Sequence, residues 1–101
     1  MDVIEKIRII LNTVCYGYDI KPIAIRAKNR QSNIREARQL TAYLVKEYTG
    51  LSLSKVGFVI NRDHSTVIHS IKVVKGEIQF NKDYRRKYEL INEIIKTRIN
   101  G

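Results

Sequence analysis

Four consecutive hydrogen-bonding side chains, Asp63, His64, Ser65 and Thr66, stand directly before the apolar residue Val67. A carboxylate can accept from a cytosine amino group, an imidazole can donate to a purine acceptor or pack on a thymine methyl, and the two hydroxyls can reach bases or phosphates. Such a run can read base pairs if it occupies the first turn of a helix whose amino end enters the major groove. A plainer alternative is that Asp63 only caps this helix.

Neither catalysis nor a metal ion is indicated by the remaining reactive residues. His64 and His69 are five positions apart, whereas two ligands on one helical face need a spacing of four. Cys15 is the only cysteine, and we interpret it as a packing residue. The sequence contains no Gly-x-x-x-x-Gly-Lys-Ser/Thr phosphate loop. We therefore expect no enzymatic activity, no cofactor and no ATP binding by this chain alone.

Charge and length limit the class of protein further. The 101 residues are 44% hydrophobic, which predicts one domain over residues 1–101 with a single modest core. Nineteen Lys and Arg against ten Asp and Glu give a net charge of +9, which favours nucleic acid or an anionic membrane as partner. The chain has no long apolar run and no signal-peptide pattern at its start. We expect a cytoplasmic, nucleoid-associated location and no membrane partner.

Helical periodicity runs through the whole chain, and strand-like alternation is absent. The predicted fold is all-α, a compact bundle of about five to six helices. The main helices are predicted at about Asp2–Thr13, Asn33–Thr49, from Asp63 into the Gly76 region, and Asn81–Ile99.

Local signals predict the connections between these helices. Cys15–Tyr18 is expected to be a connection, and Asp19 with Pro22 to open a short helical turn. Arg26–Ser32 is expected to be an exposed basic loop. Asn33 and Glu36 have the spacing of a capping box at the start of the next helix.

A helix-turn-helix is predicted in the second half of the chain. The short segment Ser52–Ile60, the polar break Asn61–Asp63 and the helix that follows have the order of this motif. Its second helix would carry the polar run described above.

Three strings together resemble one family. They are Arg62-Asp63-His64-Ser65-Thr66-Val67-Ile68-His69, the preceding Leu51-Ser52-Leu53-Ser54-Lys55-Val56-Gly57, and Arg38-Gln39-Leu40-Thr41-Ala42-Tyr43-Leu44. The chain resembles, over roughly Ile4–Ile95, the carboxy-terminal DNA-binding domain of the bacterial replication initiator DnaA. The resemblance implies sequence-specific binding of double-stranded DNA of DnaA-box type, linked to chromosome replication initiation or its regulation.

The resemblance also implies roles for individual residues. Base contacts are expected from Arg30 in the minor groove and from Asp63, His64, Ser65 and Thr66 in the major groove, with Thr66 also near the backbone. DNA-backbone contacts are expected from Gln39, Lys46 and Ser54, and backbone or structural contacts from Arg38 and Arg62.

Two departures from the family pattern affect the expected site. Ile60-Asn61-Arg62 is one residue shorter than the usual Phe-Gly-Gly-Arg turn, and Ser65 replaces a Thr whose methyl can touch thymine.

The sequence also permits other interpretations. The basic run Lys82, Arg85, Arg86 and Lys87 is either a solvated face or an extension of the DNA footprint. Two alternative functions are a free-standing repressor or competitor for initiator sites, and a basic helical module that binds an acidic protein or a membrane.

Overall fold

The computed structural model describes residues 1–100, which form six helices and no strands. The helices are α1 (Val3–Tyr18), α2 (Ile23–Arg26), α3 (Ser32–Thr49), α4 (Leu53–Ile60), α5 (His64–Phe80) and α6 (Lys82–Asn100). The all-α prediction is confirmed. None of these helices, within the described residues, is both long and apolar enough to cross a membrane.

The central helix is α3, which contacts α1, α2, α4 and α5. Its predicted inner stripe is buried, with Ala37, Leu40 and Val45 fully inaccessible to solvent. α6 packs on α1 and α5. The two helices that form the helix-turn-helix, α4 and α5, therefore rest on α3 as a common support.

The first helix is longer than the sequence pattern predicted. Asp2 caps it by accepting a hydrogen bond from the Glu5 amide at 2.8 Å, but the helix continues to Tyr18. The predicted connection at Cys15–Tyr18 is therefore wrong, because Cys15 and Tyr18 are buried in the last turn of α1. Asp19 was also misassigned, since it ends α1 in a left-handed conformation, and α2 begins only after Pro22.

The capping box predicted for α3 is not formed. The helix begins at Ser32, so Asn33 lies inside it, and Gln31 at the cap position makes no side-chain cap bond. Glu36 accepts instead from the Tyr18 hydroxyl at 2.6 Å, which joins α3 to the end of α1. Burial of the phenol, and to a smaller extent this hydrogen bond, raises the pKa of Tyr18 far above its usual value.

Two members of the basic run on α6 have roles within the fold. Arg85 donates to the carbonyl oxygens of Ile78 and Gln79, both at 2.7 Å, and so satisfies the carboxyl end of α5. The ammonium of Lys87 lies 3.6 Å from the centre of the Tyr18 ring. The continuation of α5 through Gly76 to Phe80 places this helix end next to α6.

Candidate nucleic-acid interface

The turn of the helix-turn-helix consists of residues 61–63 between α4 and α5. Asn61 adopts a left-handed conformation with φ 57° and ψ 48°, and the next amide, of Arg62, donates to the Gly57 carbonyl at 2.9 Å. Asn tolerates this conformation better than most residues other than glycine. Asn61 therefore ends α4 in a shortened turn that lacks a glycine.

Gly57 allows the turn to fold back onto α4. A Cβ atom at this position would overlap the carbonyl oxygen of Arg62. The buried glycine is thus a steric requirement of the motif, since Arg62 cannot move without moving the start of α5.

The first turn of α5 presents the polar run to solvent. Asp63 accepts from the Thr66 amide at 2.8 Å, and the amide and hydroxyl of Thr66 lower the pKa of Asp63. His64 and Ser65 are exposed, Thr66 is half-buried, and Val67 is completely buried. The capping role of Asp63 is therefore real. Because the bond uses one oxygen of an exposed carboxylate, acceptor capacity remains for a base.

The basic loop is shorter than predicted and covers residues 27–31. Arg26 belongs to α2, and Ser32 begins α3. The side chain of Asn29 accepts from the Gln31 amide at 2.9 Å, which shapes the loop locally. Arg30 projects from it as an exposed side chain.

Arg38 acts inside the fold. Its side chain is 6% exposed, and it donates to the carbonyl oxygens of Ile25 at 2.7 Å and of Ala27 and Asn29 at 3.1 Å each. Burial and the nearby Arg62 lower its pKa, although a guanidinium stays charged. Of the two roles expected for Arg38, these bonds to α2 and the basic loop show the structural one, and a contact with the DNA backbone stays a prediction.

Arg62 connects the basic loop to the turn. Its guanidinium donates to the Ala27 carbonyl at 2.9 Å and to the Asn61 carbonyl at 2.8 Å, and the side chain is half-buried. Of the two roles expected for Arg62, a structural one is again the one that its contacts show.

A cleft of about 380 Å³ lies between the basic loop and the turn. It is lined by Lys28, Asn29, Arg30, Arg38, Asn61 and Arg62. Four of these side chains are cationic and none is acidic, so the cleft attracts anions.

The other residues expected at the DNA backbone differ in their surroundings. Ser54 is exposed in the first turn of α4 and lines a shallow depression together with Asp63. Gln39 is half-buried on α3. The Lys46 ammonium donates to the Leu51 carbonyl at 2.7 Å, which stabilises the corner between α3 and α4 and leaves two further protons to donate.

The sequence did not predict the side-chain contacts of two residues in this region, Arg26 and Asn61. The Arg26 guanidinium donates to the Phe58 carbonyl and, at 3.5 Å, to the Val59 carbonyl, and it lies 5.2 Å from the centre of the Phe58 ring. The Asn61 side-chain amide donates to the Arg26 carbonyl at 3.0 Å. Because the acceptors are backbone carbonyls more than thirty positions away, the sequence contains no spacing that indicates these bonds.

The fold and this surface define a class of protein, the helix-turn-helix DNA-binding domain, which is not a catalytic class. Residues 7–74 match the family described as "Bacterial dnaA protein helix-turn-helix". The chain belongs to this family of DnaA carboxy-terminal domains, as the sequence resemblance predicted.

Individual relatives agree with the family match. The chain is 41% identical over 90 residues to the chromosomal replication initiator protein DnaA of Bacteroides fragilis (strain YCH46), which is 88% of this chain and 19% of the relative. It is 40% identical over 88 residues to DnaA of Bacteroides thetaiotaomicron, covering 86% and 19%. For DnaA of Caldanaerobacter subterraneus subsp. tengcongensis, identity is 37% over 90 residues, covering 89% and 20%. The chain thus spans about a fifth of the length of these relatives.

Proposed function

We propose that this domain binds duplex DNA of DnaA-box type in a sequence-specific manner, with the amino end of α5 in the major groove and Arg30 in the neighbouring minor groove. The observation that carries the proposal is a cationic cleft that has Arg30 in its lining and reaches the residue next to the exposed polar start of α5. Arg30 lines this cleft together with Arg62, and Arg62 directly precedes Asp63 at the start of α5.

In this arrangement Asp63, His64 and Ser65 contact base edges, and Thr66 contacts a base or the adjacent backbone. The exposure of Asp63, His64 and Ser65 on a helix whose Val67 is buried in the core supports these roles, because these side chains project while the helix stays fixed.

The DNA backbone is contacted by Gln39 and Lys46 on α3 and by Ser54 on α4. The free amides at the start of α5 favour a phosphate there as well. Arg38 and Arg62 act through the basic loop, whose carbonyls they bind. The net charge of +9 supplies the sequence-independent part of the affinity.

A role in chromosome replication initiation or its regulation is the second part of the proposal. It is supported by family membership and by the relatives, which are named chromosomal replication initiator proteins. Since the chain spans about a fifth of those relatives, the part it would play is site recognition.

Fluorescence anisotropy at one fixed salt concentration tests the proposal. We expect a DnaA-box duplex to bind at least about a hundredfold more tightly than a scrambled duplex of equal length and composition, because each mismatch costs about 1–3 kcal/mol. Equal affinities would refute sequence-specific recognition. If no duplex bound even at low salt, an acidic protein or an anionic membrane would become the better partner.

A further inference from the structure

Hydrogen bonds of Arg26, Asn61 and Arg62, here termed the loop–turn clasp, join two segments. One segment is the end of α2 with the basic loop, and the other is the end of α4 with the turn. The Arg26 guanidinium donates to carbonyls at the end of α4, while Asn61, which ends α4, donates from its side chain to the Arg26 carbonyl at 3.0 Å. Arg62 adds its bond to the Ala27 carbonyl at 2.9 Å. Each segment thus binds backbone atoms of the other.

Asn61 is the residue of the clasp with two separable roles. Its backbone occupies the left-handed conformation that ends α4, a role that glycine fulfils without strain. Its side chain alone forms the bond to Arg26, which glycine cannot make. Asn61 is exposed, so this bond is not imposed by burial in the core.

We infer that Asn61 is a positioning residue that fixes Arg30 relative to α5, so that the minor-groove and major-groove contacts are made in one register. The inference rests on the proposed function for the roles of Arg30 and His64. Its physical basis is that the carbonyl held by Asn61 lies four positions before Arg30 and directly before the basic loop. A loop ordered before binding loses less conformational entropy when DNA arrives.

Asn61→Gly tests this inference because it keeps the turn and removes only the side-chain bond. We expect DnaA-box affinity to fall about threefold to tenfold, the range of one hydrogen bond to a backbone carbonyl. In the Arg30→Ala background the same change should alter affinity by less than about twofold, because Asn61 acts through Arg30. In the His64→Ala background the loss should remain at its full size.

A matched control is available at the end of α1. Asp19 has almost the same backbone conformation as Asn61, with φ 54° and ψ 48°. Asp19→Gly should therefore reproduce any general effect of glycine at a helix end, and we expect it to leave the DnaA-box preference over a scrambled duplex unchanged. An equal loss of preference in both glycine variants would overturn the inference.

A second measurement uses the free protein and does not depend on DNA. Backbone amide order parameters of residues 28–31 should fall in Asn61→Gly, with thermal stability similar to that of the wild type. Unchanged order parameters, or a loss of affinity that is the same with and without Arg30, would show that Asn61 does not position the loop. If Arg30→Ala and His64→Ala both bound the DnaA box normally, the proposed function would be wrong, and the order parameters would still decide whether Asn61 holds the loop.

Discussion

His64 and His69 offer a direct comparison on one helix. Both imidazoles are exposed on α5, but His64 lies in its first turn and His69 lies more than a turn further along. Only the amino end of a recognition helix reaches far enough into the major groove to contact base edges. The two histidines should therefore differ in function despite their similar exposure.

We expect His64→Ala to lose about 1–3 kcal/mol of discrimination between the DnaA box and a duplex altered at the contacted base pair. The physical reason is the loss of the donor or of the contact with a thymine methyl. Anisotropy titrations of both duplexes measure it, with His69→Ala as the control that keeps its preference. A His64→Ala variant with unaltered discrimination would contradict the assignment of this residue to a base.

The sequence predicted features that depend on local order better than features that depend on distant contacts. The position of Asp63 and His64 at the start of a helix was predictable, because the order of residues carries this information locally. The acceptors of Arg38 were not, because the fold brings these carbonyl oxygens together from α2 and the basic loop. The same limit explains why Arg26 and the side chain of Asn61 were overlooked.

The close approach of α4 and the turn decides how the elements of the helix-turn-helix are oriented. Gly57 is buried against the Arg62 carbonyl, whereas a Cβ at Gly76, within α5, would meet no atom within 4 Å apart from its neighbours along the same helix. Two glycines in helices of one motif thus have opposite requirements.

We expect Gly57→Ala to destabilise the domain by about 1–3 kcal/mol, because a Cβ forces the turn away from α4. Affinity for the DnaA box should fall in parallel, since α5 shifts with the turn. Gly76→Ala should instead stabilise the domain by up to about 1 kcal/mol, through helix propensity. Urea unfolding of both variants measures these changes, and a Gly57→Ala protein as stable as the wild type would show that the contact is not restrictive.

Helix boundaries show the limits of sequence periodicity. The stripe of α1 continues through Val14, Cys15 and Tyr18, all of which are buried, beyond the predicted end at about Thr13. Gly17 lies in this last part of the helix against Ile91 of α6, a contact between distant parts of the chain. The start of α3 was predicted to within one residue, but its capping box is not formed, because Glu36 accepts from the distant Tyr18 and does not cap its own helix.

Across the whole molecule, the effect of the positive charges on DNA affinity should depend on where they lie. The cleft between the basic loop and the turn has four cationic side chains, while Arg85 and Lys87 on α6 are engaged in internal contacts. Charge near the turn should affect DNA affinity more than equal charge on α6.

We expect Lys46→Ala to weaken binding to all duplexes alike and to reduce the slope of log K against log salt by about one unit, the change for one lost phosphate contact. Lys96→Ala carries the same charge change on α6, which does not contact α2 or α4 within residues 1–100, and should leave the slope unchanged. Because Lys46 also binds the Leu51 carbonyl, thermal unfolding of each variant separates stability from affinity. Equal slopes for Lys46→Ala and the wild type would remove this residue from the interface.

The basic loop is held in place by hydrogen bonds to its backbone carbonyl oxygens. Arg38 and Arg62 bind carbonyl oxygens of Ala27 and Asn29, and every residue type offers such an oxygen. The frame of the loop is therefore independent of the side chains at positions 28 and 30, which remain free to vary. New groove-reading residues can be introduced there without redesigning the scaffold, so this domain could be retargeted, by mutation or by engineering, one exposed position at a time.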